Sequence, residues 1–436
     1  MSTRTMSLRR PPAVRRLRIA LAATACSLAL TATPAAQAHA GVPAPTPWTM
    51  ELPLARTDAT DFFDSSATGR NDAWAVGRQA DESWNWSPVA KHWDGTRWSD
   101  VPLAGTGGRP AQLDAVAATA PDDVWVAGTF TDVDISASSL PKGLAARLPE
   151  GAARSAADSQ LLLQHWDGTR WKSVQRPAPP KGTLRFVLEL KSFGPDSVWL
   201  TTLDWNPTAG PDDPVGPYSG KLEHWDGRRW SSTALPSAPD GKPVEPSGIS
   251  GTGPDDVWVS AQTETAGVST PLLYHFDGRR WTAHAVPAPY EYGPGWVANH
   301  VVATGRGTVH VFGKTNDAGV PGGLLSVRFD GRRWQQAPVP GVDEVNAAGA
   351  DGAGRIWVAG WPPGGSHTVL NRLDGRNGSA WTEEELPGEL TSTSVGSTLF
   401  DVEGIPGTHA VIATGNAGCE SVTTACGLVI SRGLRH

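Results

Sequence analysis

The stretch HWDGTRW, His92 to Trp98, returns letter for letter from His165 to Trp171. Altered copies follow: HWDGRRW from His224, HFDGRRW from His275, RFDGRRW from Arg328, and a stretched RLDGRNGSAW from Arg372 to Trp381. A chain repeated in this way is built from units that bury little alone, so its core must come from neighbouring copies stacked together. A second motif precedes each copy. It reads NDAWAVG from Asn71, PDDVWVAG from Pro121, PDSVWL from Pro195, PDDVWVS from Pro254 and GRIWVAG from Gly354. GTVHVFG from Gly307 is the same element with His310 in the Trp position, and GTHAVIATG from Gly407 is a weaker copy. Another β-prone run lies upstream of each, such as LDAVAATA from Leu113.

The unit therefore reads as strand a, a Pro-Asp turn, strand b, a variable loop, strand c, an Asp-Gly turn and strand d. Asp-Gly between apolar and aromatic runs marks a hairpin, because such a turn needs positive φ. Antiparallel strands in fours, at a period of roughly 50 residues, are the mark of a propeller blade. Strand b occurs seven times, but the Asp-Gly hairpin into strand d occurs only six times. The last repeat stops at GLVISRGLRH, a strand c, and the missing strand d is PWTMELPL from Pro47, where Trp48 takes the place of Trp98. The expected fold is all-β: a seven-bladed β-propeller of four-stranded antiparallel blades, its ring closed by an N-terminal outer strand in the last blade. Residues 41–436 form one domain in this reading, with residues 47–54 as the closing strand. Ring closure also hides sheet edges that would otherwise pair with other chains.

The tryptophans that open strand d (Trp48, Trp98, Trp171, Trp230, Trp281, Trp334 and Trp381) recur once per blade and are read as blade-to-blade packing. The Asp before each Gly caps its turn through bonds to the backbone. His92, His165, His224 and His275 resemble a metal set at first sight, but they belong to different blades and are framework residues. No metal and no cofactor is expected.

Residues 1–40 read as a secretory signal peptide. Arg9, Arg10, Arg15, Arg16 and Arg18 form a basic start, Ile19 to Leu30 a short apolar stretch, and AQA and AHA near Ala40 offer small-residue cleavage sites. The expected location is extracellular. The apolar stretch is too short to span a bilayer, and no other is apolar enough. Without this segment two cysteines remain, Cys419 and Cys426, and an even pair in an exported chain favours a disulfide. The net charge of −7 argues against a nucleic-acid partner, which needs a basic surface.

The repeat PDDVWVAG…HWDGTRW resembles that of secreted bacterial β-propellers of the actinobacterial type, over nearly all of the mature chain. D-G-x-x-W is also similar to the Asp-box of sialidase-like propellers, one residue shorter, and to the tryptophan-bearing repeats of propeller lectins. The resemblance implies the fold and leaves the activity open, because one propeller fold hosts lectins, hydrolases, lyases and scaffolds. It carries over no catalytic residue.

Strand order puts the a–b and c–d turns on one face of the disc, and the b–c loops and d–a connections on the other. The second set varies in length and content, and function more often lives on variable loops held by a rigid scaffold. Of the 20 tryptophans, those outside the repeat positions are Trp84, Trp86, Trp205, Trp296 and Trp361, and all fall in these loops. Tyr218, Tyr290 and Tyr292 do so too, with Glu291 between the last two. Flat aromatic surfaces with carboxylates nearby suit sugar rings and their hydroxyls. These nine residues are the candidate ligand-binding set, and a glycan or cell-surface polymer is the expected ligand. An Ala-rich insertion, about Thr131 to Ser159, reads as a lid or loop.

A protein–protein scaffold of an extracellular assembly is the alternative reading, with an extracellular protein partner. A polysaccharide hydrolase or lyase is another, resting on PYEYG (Pro289 to Gly293), where a Tyr beside a Glu offers an activated nucleophile. A sialidase-like site also needs several arginines to grip a carboxylate. Most arginines here lie in the Asp-Gly turns of the opposite face.

Overall fold

The computed structural model describes residues 46–52, 59–130, 161–177, 179, 183–206, 218–238, 241–265, 268–288, 295–315, 324–374, 380–391, 396–418 and 425–435. Among them are seven four-stranded antiparallel sheets, each a blade. Blade one holds β2 (Thr60–Gly69), β3 (Asp72–Ala80), β4 (Trp86–Trp93) and β5 (Trp98–Asp100). Blade two holds β6 (Ala111–Ala120), β7 (Asp123–Phe130), β8 (Leu161–Trp166) and β9 (Trp171–Ser173). Blade three runs through β10 (Leu184–Ser192), β11 (Val198–Trp205), β12 (Tyr218–Trp225) and β13 (Trp230–Thr233). Blade four has β14 (Glu245–Gly253), β15 (Asp256–Thr265), β16 (Val268–Phe276) and β17 (Trp281–Ala285). Blade five has β18 (Trp296–Gly305), β19 (Thr308–Thr315), β20 (Leu324–Phe329) and β21 (Trp334–Gln336). Blade six has β22 (Glu344–Ala350), β23 (Ile356–Trp361), β24 (Val369–Leu373) and β25 (Trp381–Glu383).

The seventh blade closes the ring. It takes β26 (Ser397–Gly404), β27 (Val411–Gly418) and β28 (Ala425–Arg432) from the C-terminal end, and β1 (Trp48–Leu52) from the other end of the chain. β1 pairs antiparallel with β28, with Trp48 opposite Arg432 and Leu52 opposite Val429. The first strands β2, β6, β10, β14, β18, β22 and β26 touch their neighbours in a complete circle, which places them around the axis.

Each of these inner strands slips register along its length against its own strand b, and β2, β6, β14 and β18 slip again beside the a–b turn. The first slip skips Phe63 in β2, Asp114 in β6, Leu188 in β10, Asn299 in β18, Asn346 in β22 and Phe400 in β26. In β14 it spans Pro246 to Ile249. The bulge explains the glycine that ends the W-x-x-G motif. Phe62 faces Gly77, and a Cβ on Gly77 would lie 1.8 Å from the carbonyl oxygen of Asp61. A bulge of this kind adds twist and re-aims the residues beyond it.

In blades one to five the Asp-Gly turns are four-residue loops, closed by an aromatic pair such as Trp93 opposite Trp98. The Asp94 carboxylate accepts the backbone N–H of Thr96 at 2.8 Å and of Arg97 at 2.9 Å. Positive φ falls on the glycine alone, 92° at Gly95 and 86° at Gly168, so the Asp acts as a cap, and Gly is the residue that relieves the backbone.

The repeated tryptophans join the blades. Trp171 of blade two meets Trp74 of blade one edge-on at 5.5 Å, and Trp230 of blade three meets Trp125 of blade two at 5.3 Å. Trp281 of blade four meets Trp199 of blade three at 5.4 Å, and Trp48 of the closing strand meets Trp357 of blade six at 5.6 Å. An outer-strand indole of one blade thus packs into the strand-b indole of the blade before it, in the edge-to-face geometry that the ring quadrupole favours. Replacing Trp171 by Ala opens a void at the seam of blades one and two. The expected loss is about 3–5 kcal/mol of stability, measured by urea unfolding; a loss under about 1 kcal/mol would mean that the seam does not depend on the indole.

Candidate functional site

The repeated histidines are framework residues. His92 lies 4.4 Å from the ring of Trp74, and its Nε2 is 2.7 Å from Asp72. His165 stands likewise on Trp125 at 4.4 Å and 2.6 Å from Asp123, and His275 on Trp258 at 4.0 Å and 2.8 Å from Asp256. Burial pushes the Asp123 carboxyl up, but bonds from His165 and Thr119 outweigh it and hold it below the usual range. Blade three has Ser197 in the Asp position, where it accepts the Trp199 indole N–H at 3.2 Å. His224 there stacks on Trp199 with its Nε2 unbonded among the described residues, and burial lowers its pKa.

On the loop face, Trp84 is the most exposed large apolar side chain described, at 54%. It sits in the b–c turn between β3 and β4 with φ of 62°, the only positive φ outside glycine among the described residues. Left-handed backbone costs a bulky residue about 1–2 kcal/mol. Asp81 holds it there: its carboxylate accepts the N–H of Ser83 at 2.8 Å, the N–H of Asn85 at 2.9 Å and the Asn85 side-chain amide at 3.0 Å. The Trp84 N–H returns to the Asp81 carbonyl at 2.9 Å. The Asn85 side chain first, then the backbone N–H groups, hold the Asp81 carboxyl below its usual pKa.

Trp86 follows, half-buried at the start of β4, with the Arg78 guanidinium 4.1 Å from its ring centre. Arg78 is itself buried and bonded to Asp61 at 2.7 Å and to Gln112 of blade two at 3.1 Å. Asn416 of blade seven donates to Asp61 at 2.7 Å. Beneath the Trp86 ring, Arg78 links blades one and two, and Asp61 extends the network to blade seven.

The other candidates are placed differently. Trp296 is 1% exposed, in the apolar seam between blades four and five, where its indole packs against other apolar side chains. Trp205 is also buried, at 5%, and pairs across the sheet with Tyr218. Beside it Asp204 takes a bidentate bond from Arg185 at 2.6 and 2.9 Å and one from Lys221 at 2.6 Å. Tyr218 is half-buried, and burial, then the charges of Glu245 and Glu264, raise its pKa. Trp361 is half-buried and donates to the Ser397 carbonyl at 3.1 Å. Tyr290, Glu291, Tyr292, Cys419, the Ala-rich insertion and residues 1–40 lie outside the described residues. A cavity of about 290 Å³ opens beside the outer strands of blade three, lined by Lys221, Ser232, Ser237 and Lys242, with no tryptophan in its lining.

A second constellation lies on the axis. The first residue past the bulge is Asp64 in β2, Glu189 in β10, His300 in β18 and Asp401 in β26. Two residues on from Glu189 and Asp401 stand Lys191 and Glu403. Lys191 Nζ reaches Glu403 at 3.2 Å and Glu189 at 3.9 Å. β10 and β26 are not neighbours in the ring, so the Lys191–Glu403 pair crosses the axis. Asp64 and Asp401 share Ser65, whose N–H lies 2.9 Å from Asp64 and 3.1 Å from Asp401, while its hydroxyl donates to Asp401 at 2.6 Å. Asp64 also accepts the Val116 N–H of blade two at 2.7 Å.

The electrostatics of this cluster follow from one cation among several acids. Burial raises the Asp64 carboxyl well above the usual range, and the Asp401 charge adds to it, against Lys191. Glu403 is raised by burial, with Lys191 opposing and Asp401 adding. Burial pushes the Lys191 amine down, but Glu403, Glu189, Asp64 and Asp401 outweigh it and raise it well above its usual value. No single motif announces this cluster. Superposing the seven strand a segments on their bulges would have found it.

No protein-family model matches the chain, and no curated protein does. Among solved structures, a Dyadobacter fermentans protein of unknown function is 13% identical, with 73% of this chain and 93% of that one covered and a TM-score of 0.48. A Hadza microbial sialidase is 11% identical, with 79% of this chain and 73% of that one covered and a TM-score of 0.46. An α-L-arabinanase of Penicillium chrysogenum, complexed with arabinobiose, is 10% identical, with 90% and 99% covered and a TM-score of 0.42. No residue role rests on these likenesses.

The raised Asp64 and Glu403 carboxyls bind protons in the folded chain that the unfolded chain has released, so their contribution to stability falls as pH rises through their folded pKa values. His224, His284 and His310, lowered by burial, act in the opposite sense on acidification below their unfolded value. Asp401→Asn removes one charge from the cluster and leaves the histidines alone. Relative to wild type it is expected to gain stability as pH rises above the ordinary carboxylate range, read as the difference of the two unfolding free energies. A flat difference would mean that Asp401 does not set the protonation of its neighbours.

Proposed function

We propose that the chain is a non-catalytic binding propeller that recognises a glycan or cell-surface polymer on its b–c and d–a loop face, around Trp84. The observation that carries the reading is Trp84 itself: a large indole, more than half exposed, held in strained backbone by a turn whose bonds are all made. A strained, exposed aromatic on a rigid mount suits a flat sugar face. Trp86 over Arg78, half-buried beside it, extends the apolar surface, and Glu82 brings an exposed carboxylate for hydroxyl groups. Tyr290, Glu291 and Tyr292 are proposed as further contacts of the same ligand. The mature chain acts outside the cell, after removal of residues 1–40.

A glycan array with wild type and Trp84→Gly tests this. Glycine suits the φ of 62°, so the variant should fold as well as wild type or better by about 1 kcal/mol, with glycan binding lost. Binding retained by the variant would remove Trp84 from the site, and binding by neither form would favour an extracellular protein partner. One observation favours a hydrolase instead: Asp64 and Asp401 share Ser65 with one carboxyl strongly raised, an acid beside a base. Asp64 is only 6% exposed, which weighs against substrate access. Turnover across a polysaccharide panel, abolished by Asp401→Asn, would replace the binding reading.

Cys419 and Cys426 are proposed to form a disulfide across the β27–β28 hairpin. Cys426 is buried, opposite Ala417, and Cys419 follows that strand two residues on. Thiol labelling of the denatured mature protein should appear at these positions only after reduction; labelling before reduction would reject the bridge.

A further inference from the structure

The c–d turns differ around the ring in a way that turn formation does not require. In blades one and two the residue after Gly is Thr96 or Thr169, whose hydroxyl donates to the capping Asp at 2.6 Å in each. That bond is the largest cause holding Asp94 down at about 2. In blades three, four and five the same position is Arg228, Arg279 and Arg332, each followed by a second arginine, Arg229, Arg280 and Arg333. These three turns give up the hydroxyl bond and gain a guanidinium. All six side chains are exposed.

The loops beneath them are fixed. Asp226 accepts the N–H of Arg228 at 3.0 Å and of Arg229 at 2.9 Å, and Asp277 and Asp330 do the same for their arginine pairs at 2.9 to 3.0 Å. Those backbone bonds hold the three carboxyls below their usual pKa. Arg229 and Arg280 stay 3.9 and 3.7 Å from their Asp with 81% and 82% of the side chain exposed. Arg228, Arg279 and Arg332 have no carboxylate partner among the described residues. Each turn thus presents two guanidinium groups above a capping carboxylate already occupied by the backbone; Asp196 and Asp255 of the a–b turns pack against Gly227 and Gly278, and Arg306 pairs with Asp255 at 2.9 Å. The three blades are consecutive, in a chain whose net charge is −7.

We propose that this crescent, on the face opposite Trp84, binds a linear polyanion whose oxyanion groups repeat along its length, laid across the turns of blades three, four and five. Guanidinium forks match phosphate and carboxylate oxygens in bidentate geometry. The six guanidinium groups stand exposed on separate turns, so affinity must come from several weak contacts made together, which a polymer supplies. A lipid surface fits less well. The exposed large apolar side chains among the described residues are Trp84 and Val268, and both lie at b–c loops on the other face, leaving the arginine face nothing to insert.

The full chain is titrated, in low salt, into labelled polyphosphate and labelled polygalacturonate, beside a triple variant Arg228→Thr, Arg279→Thr, Arg332→Thr. Threonine is the residue that blades one and two use, so the melting temperature should hold or rise. Binding to at least one polymer is expected, weakened about tenfold in the triple variant and with a shallower salt dependence. Trp84→Gly should leave it unchanged, which separates this site from the glycan reading. Preference for polyphosphate would name a phosphate polymer as the source, and preference for polygalacturonate a uronate one. Wild type binding neither polymer, equal binding by the triple variant, or tighter binding to phosphatidylglycerol vesicles than to either polymer would each overturn the proposal.

Discussion

The edge-to-face contact between tryptophans of adjacent blades is the interaction on which the rest depends. A single blade is a small twisted sheet with two apolar faces and no core of its own. Trp171 on Trp74, Trp230 on Trp125 and Trp281 on Trp199 turn pairs of blades into packed units, and Trp48 on Trp357 carries the contact into the closing blade. The closure costs little sequence, because β1 supplies one strand and one indole. It removes the exposed edge that an incomplete seventh sheet would leave. Everything with chemical interest, on either face or on the axis, is positioned by this ring.

Much of this architecture was legible because each blade repeats the same solution. The strand-b and strand-d tryptophans, the capping Asp and the turn Gly mark their positions in every clear copy. The missing outer strand could even be located at Trp48 by elimination. The histidines were legible as framework for the same reason, and the structure adds the cause: each stacks on the strand-b Trp, and three are bonded to the Asp that opens that strand. The cap in the turn was legible as well: the Asp keeps ordinary φ and acts through its carboxylate, and the positive φ falls on the Gly.

Off-pattern aromatics were harder to interpret. Trp84 and Trp296 are equally irregular in the sequence, yet one is exposed and the other fully buried. What separates them is position relative to the strand. Trp296 opens an inner strand and points into a seam, while Trp84 lies in a turn between strands. The axial cluster was announced by no motif, for a different reason. Asp64, Glu189, Lys191, Asp401 and Glu403 come from blades one, three and seven, and only the shared bulge brings Asp64, Glu189 and Asp401 into one register. Their meeting across the axis is a property of the closed ring and of no local stretch.

The same small device recurs on both faces. An aspartate that collects backbone N–H groups fixes a turn whatever side chain that turn carries. At Asp81 the cap holds a left-handed Trp84 toward solvent; at Asp226, Asp277 and Asp330 it holds pairs of arginines. Because the cap works through the backbone, the displayed residue can change without disturbing the scaffold. Threonine gives way to arginine between blades two and three with the turn conformation kept: φ of the turn glycine is 86° at Gly168 and 84° at Gly227. A propeller with such mounts separates stability from recognition, since the indole seams hold the ring while the capped turns decide what each face presents.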